Sequence, residues 1–251
     1  MTRIIGIISG KGGVGKTTVA ANLGAALAQR FKKDVTLVDC NLTASHLSIL
    51  LGMNYHPITL NHVLRREKDI KEAVYTHPSG MKIIPASLKL NDLIGTDISR
   101  LENHLKKLKG KTDIIFLDSS PGLGREAIAA IKASQEILFV TKPDIMSVSD
   151  VIRGKEFISS IKKEPIGIVL NMKTGSGHEL TKKEIEMMTE IPVIAVIPHD
   201  NNVPKSLEFR TPVVLHKPNS AASKELRKLA GFIIDEKELG FWDKLIEFLK
   251  T

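Results

Sequence analysis

The decapeptide Ser9-Gly10-Lys11-Gly12-Gly13-Val14-Gly15-Lys16-Thr17-Thr18 constrains this chain more than any other segment, because of what stands on either side of it. Before it, Ile4, Ile5, Ile7 and Ile8 read as a buried strand. After it, Val19, Ala20, Leu23, Ala26 and Leu27 recur at helical spacing. A strand, a glycine-rich turn and a helix fitting G-x-x-x-x-G-K-[ST] are the context in which backbone NH groups curl around a phosphate at a helix N-terminus. Gly10, Gly12, Gly13 and Gly15 let the backbone turn inward. Lys16 is placed to reach the β and γ phosphates of a nucleotide, and the Thr17 hydroxyl to ligate Mg²⁺.

Downstream, apolar runs alternate with segments of helical period. Strands are expected at Ile4 to Ile8, Val35 to Asp39, Lys82 to Pro85, Ile114 to Asp118, Ile137 to Thr141, Ile166 to Asn171 and Val193 to Ile197. Helices are expected at Lys16 to Arg30, Ser99 to Leu108, Gly124 to Ala133, Ser147 to Lys162 and Glu179 to Thr189. The alternation predicts an α/β fold, a doubly wound, mostly parallel sheet with helices on both faces and ligands at the carboxyl ends of the strands. A chain of 251 residues is compatible with one such unit, read here as residues 1–232, followed by an appendage over 233–251.

Polar residues at the expected strand ends carry the chemistry. Asp118 closes Ile114-Ile115-Phe116-Leu117 as a carboxylate that holds Mg²⁺ through water, and Asp39 closes Val35-Thr36-Leu37-Val38 as a second carboxylate near the metal. Asn171 closes Ile166-Gly167-Ile168-Val169-Leu170 with an amide able to pair with a purine edge. The single cysteine, Cys40, excludes internal disulfides and Cys-x-x-Cys metal chemistry and reads as a packed thiol. There is no run of about eighteen apolar residues and no signal-peptide pattern, so a cytosolic protein is expected. The net charge of +8 suits an anionic partner, nucleic acid or membrane, although the basic residues are spread along the chain as on ordinary solvated faces.

Taken with Lys11-Gly12-Gly13-Val14-Gly15-Lys16-Thr17-Thr18, the runs Thr36 to Asp39, Leu47 to Gly52, Asp118 to Leu123, Val140 to Pro143, Ile197-Pro198 and Pro218 to Ala222 resemble the MinD/ParA family of deviant phosphate-loop ATPases, with archaeal MinD the nearest likeness. The resemblance covers nearly the whole chain. It implies an ATP/ADP-binding, Mg²⁺-dependent ATPase that forms an ATP-dependent homodimer, in which Lys11 crosses to the phosphates bound by the partner. It also implies that the Ile197-Pro198-His199-Asp200 loop is the second wall of the base pocket. The family commonly has Asp-x-Asp where this chain reads Asp39-Cys40-Asn41; Asn41 can hold a water but cannot accept its proton, so slow hydrolysis is expected.

Near the end of the chain, Phe241, Trp242, Leu245, Ile246, Phe248 and Leu249 fall on one arc of roughly 160° at helical spacing, with Asp243, Lys244, Glu247 and Lys250 opposite. Such an amphipathic helix over 241–250 suits either a membrane surface, placing the protein peripherally at the inner face of the cell membrane, or docking on its own domain. The resemblance implies two roles. One is a switch that recruits a regulatory or cargo protein to position a cell-division or polar apparatus. The other, less favoured, is a partition ATPase that binds DNA non-specifically as a dimer.

Overall fold

The computed structural model describes residues 1–235, and the segment 241–250 lies outside them. In chain order the elements are β1 (Arg3–Ile8), α1 (Lys16–Gln29), β2 (Val35–Asp39), α2 (Leu47–Leu50), α3 (Leu60–Leu64), β3 (Tyr75–Thr76), β4 (Lys82–Ile84), α4 (Leu101–Leu105), β5 (Ile114–Asp118) and α5 (Arg125–Ala133). They continue through β6 (Glu136–Thr141), α6 (Ile145–Ser160), β7 (Pro165–Lys173), α7 (Lys182–Thr189), β8 (Val193–Pro198), α8 (Asn202–Glu208), α9 (Val213–His216) and α10 (Ala221–Asp235).

Among the described residues the strands form one sheet in the order β3-β4-β2-β5-β1-β6-β7-β8. Every pairing is parallel except that of β3 with β4. Side chains alternate along β1 and sort the two layers. Ile5 and Ile7 pack on one face with Leu23 and Leu27 of α1 and Leu226 and Leu229 of α10. Ile4 and Ile8 face the opposite layer, where α3, α4 and α5 cover one half of the sheet and α6 and α7 the other. Each fully buried isoleucine or leucine contributes about 1.5–3 kcal/mol, so both faces of β1 are anchored.

The chain moves outward from β1 to β2 and β4, returns to insert β5 between β2 and β1, and then continues on the other side through β6, β7 and β8. The reversal puts the carboxyl ends of β1, β2 and β5 side by side, where such folds bind their ligands.

The expected central strands are present within one or two residues. Three helices depart from expectation for local reasons. The segment Ser99 to Leu108 is not one continuous helix: tight turns at Ile98–Arg100 and Lys106–Leu108 bracket α4, and Gly110 at φ +78° ends the run. Helix α6 starts two residues early because the Asp144 carboxylate accepts a hydrogen bond from Ser147 N at 2.9 Å and caps it. Helix α7 starts late: Thr181 and Glu184 form a capping box, while Glu179 accepts hydrogen bonds from Thr174 N and Gly175 N in the preceding loop. Helix α10 runs unbroken past Phe232 to Asp235, and Ile233 is fully buried against α1 and the sheet.

Candidate nucleotide-binding site

The loop between β1 and α1 carries backbone that side chains rarely tolerate. Gly13 has φ +75° and Gly15 φ +87°. A Cβ at Gly13 would meet open space, but one at Gly15 would lie 2.3 Å from Asn171 Nδ2. The first helical hydrogen bond of α1 runs from Val19 N to Gly15 O at 2.9 Å, so the amides of Lys16, Thr17 and Thr18 project from the helix end. No side chain caps that end and its first turn holds no acid. A helix terminus left positive in this way is suited to an anion.

Two carboxylates face this terminus. Asp39 and Asp118 are register partners on the adjacent parallel strands β2 and β5, and both are buried. Lys16, also buried, places Nζ 2.7 Å from Asp118 Oδ1. Asp39 accepts hydrogen bonds from Ser45 Oγ at 2.7 Å and Asn41 N at 3.0 Å. Burial first, and then the neighbouring Asp118, push the Asp39 carboxyl up to about 7, against the opposing pull of Ser45, the Asn41 amide and Lys16.

Two acids side by side at the ends of adjacent strands fit Mg²⁺, which binds through one or two carboxylates while keeping waters and phosphate oxygens. Thr17, Asp39 and Asp118 would hold it here.

The loop lines a cavity of about 390 Å³ together with Asn41, His46 and Pro121. A second cavity of about 280 Å³ is bounded by Asn171, Met172, Pro198, His199, Asp200 and Leu207. Thr18 lines both, so the two meet at the start of α1. A chamber edged by the phosphate loop and meeting a largely apolar one at Thr18 suits a phosphate chain attached to a flat base.

The expected site residues are therefore brought together, and three of them also make structural contacts. Asn41 lines the phosphate cavity, and its amide also ties the loop: Nδ2 donates to Ala44 O at 2.8 Å, and Ala44 N donates to Oδ1 at 3.3 Å. Asp200 lines the base cavity, but Oδ1 accepts from Asn202 N at 2.9 Å and Oδ2 from Ala222 N at 3.0 Å, which fixes the starts of α8 and α10. Asn171 Nδ2 donates to Val14 O at 2.8 Å and so holds the phosphate loop.

Lys11 is exposed at the loop's outer edge, with no ion pair among the described residues, and its carbonyl accepts from Ser9 Oγ at 3.0 Å. The Cys40 thiol is pushed well above its ordinary value, chiefly by burial, which fits a packed rather than a reactive group.

Sequence reading missed Ser45, whose hydroxyl orients Asp39, and Met172, Val203 and Leu207, which shape the base cavity. Val203 and Leu207 belong to α8, whose seven residues give too short a periodic signal to recognise.

Comparison with known proteins agrees with this geometry. The family model described as ParA, NUBPL iron-transfer P-loop NTPase, matches residues 1–234. An uncharacterized ATP-binding protein of Methanocaldococcus jannaschii is 36% identical over 237 residues, covering 94% of this chain and 89% of its own length. The crystal structure of the cell division ATPase MinD of Pyrococcus furiosus superposes with a TM-score of 0.90 at 34% identity, covering 94% of this chain and 99% of that one. The septum site-determining protein MinD of Pyrococcus horikoshii, complexed with Mg-ADP, gives 0.89 at 33% identity, with 93% and 96% covered. The glycine loop, the paired strand-end carboxylates and these similarities together place the chain in the ParA family of P-loop NTPases.

Proposed function

We propose that this protein is a MinD-like ATPase that uses bound ATP to hold two copies of itself together and hydrolyses it slowly, as a switch that recruits a regulatory or cargo protein to a cell-division or polar apparatus. The observation that carries the reading is the exposed Lys11, set beside a phosphate site whose own lysine, Lys16, is buried against Asp118. An exposed cation on the rim of the phosphate cavity supports a contact with the nucleotide of a facing subunit, where it would neutralise charge on the transferred phosphoryl group. Within one subunit, Lys16 and the loop amides hold the phosphate chain, and Thr17, Asp39 and Asp118 keep Mg²⁺ beside it. When bound, Mg²⁺ supplies further neutralisation of phosphate charge.

Slow turnover follows from Asn41, which lines the phosphate cavity but has no carboxylate to take a proton from water. The iron transfer named in the family description has little support in this chain, since Cys40 is its only cysteine and is buried. Lipid binding through 241–250 and non-specific DNA binding as an ATP dimer remain separate proposals. Salt-sensitive, ATP-dependent binding to random duplex DNA would favour the second of them.

The reading is tested by measuring ATPase activity per subunit against protein concentration. A rise toward a plateau, abolished in Lys11→Ala, is expected if the lysine acts across a dimer; a flat profile for the wild type contradicts it.

A further inference from the structure

The phosphate loop meets the base pocket at the Asn171 side chain. Val14 O can only accept a hydrogen bond, so the amide of Asn171 must turn its nitrogen to the loop, at 2.8 Å. That leaves the oxygen end for the cavity that Asn171 also lines. The Asn171 side chain is buried, and it occupies the space a Cβ at Gly15 would need.

The strand is bent to put it there. The β7–β8 register slips between Leu170 and Lys173, so three steps on β7 match two on β8, and Met172 within the slip has φ +58°. A bulge with a non-glycine residue in the left-handed region re-aims a side chain at a backbone cost of order 1–3 kcal/mol, retained where the surroundings enforce it.

We propose that Asn171 is a positioning residue for the phosphate loop, fixing the Val14–Gly15 backbone in the shape that binds phosphate whether or not a base is present. Base recognition and phosphate binding then share one amide: a purine that engages the Asn171 oxygen also tightens the loop. This deepens the nucleotide-binding reading, and the test keeps the two separable by using a ligand without a base.

Calorimetric titration of the full chain with Mg²⁺-ATP and with Mg²⁺-tripolyphosphate, for wild type and Asn171→Ala, decides it. The wild type is expected to bind both. Loss of one neutral hydrogen bond to the loop weakens binding by about five- to tenfold, and the tripolyphosphate arm should lose at least that much. An Asn171→Ala protein weakened toward ATP but unchanged toward tripolyphosphate would reduce Asn171 to a base contact and overturn the proposal. So would a wild type that binds ATP but not tripolyphosphate. Asn171→Leu, which is close in size, uncharged and unable to donate to Val14 O, should show the same loss toward tripolyphosphate. It carries the test if the alanine variant does not fold, and wild-type tripolyphosphate affinity in Asn171→Leu would again overturn the proposal.

Discussion

Asp200 illustrates how one side chain can serve both architecture and site. Burial alone would raise its carboxyl, but hydrogen bonds from the backbone of Ala222 and Asn202 outweigh that and hold it at about 2. Its native value lies below the ordinary 3.8, so the stabilisation is complete above that pH and is lost as pH falls toward 2. In Asp200→Asn the capping of α10 weakens. Urea unfolding at pH 7 should show a loss of roughly 1–2 kcal/mol, reduced from the full shift because the group is partly exposed, and the gap to wild type should narrow between pH 4 and pH 2.5. Sequence reading placed Asp200 by resemblance alone and could not see this role, because its partner Ala222 lies three elements further along the chain, in α10. Lys16, Thr17 and Asp118 were legible because motif and strand pattern coincide. Ser45 was not, since a serine in a loop carries no signal until the fold brings it to Asp39 at 2.7 Å.

At the scale of elements, the contact between the phosphate loop and α6 is tight enough to measure. A Cβ at Gly10 would lie 2.1 Å from Asp150 Cβ and 2.9 Å and 3.0 Å from the backbone C and Cα of the same residue. Relief would therefore require moving the start of α6 or the loop itself. Gly10→Ala should cost about 1–3 kcal/mol, a fall of several degrees in Tm by calorimetry, and weaken ATP binding as well. Gly177→Ala, where a Cβ meets open space, should stay within about 0.5 kcal/mol of wild type and serves as the control.

The central strands were readable because both faces are buried and each gives an unbroken apolar run. Strand β3 was not. It is two residues long and exists only through the pairing of Tyr75 with Ile83 and of Thr76 with Lys82. Helix α10 went unrecognised although its Ser220 hydroxyl accepts a hydrogen bond from Ser223 N at 3.3 Å, because the Pro218-Asn219-Ser220 stretch reads equally as a turn.

For the whole molecule, the reversal of strand order gathers the ends of β1, β2 and β5 at one rim and leaves the exposed Lys11 beside them. The phosphate loop and both strand-end carboxylates lie within one subunit, and the role proposed for Lys11 needs a second copy. The alternation of strands and helices predicted the architecture, whereas association depends on a surface that alternation does not encode. The measurement that bears most directly on the account is molar mass by light scattering for wild type with Mg²⁺-ATP, wild type with Mg²⁺-ADP, and Lys11→Ala with Mg²⁺-ATP. A mass of two chains for the first alone, and one chain for the other two, is the predicted result. The same mass in all three would contradict it.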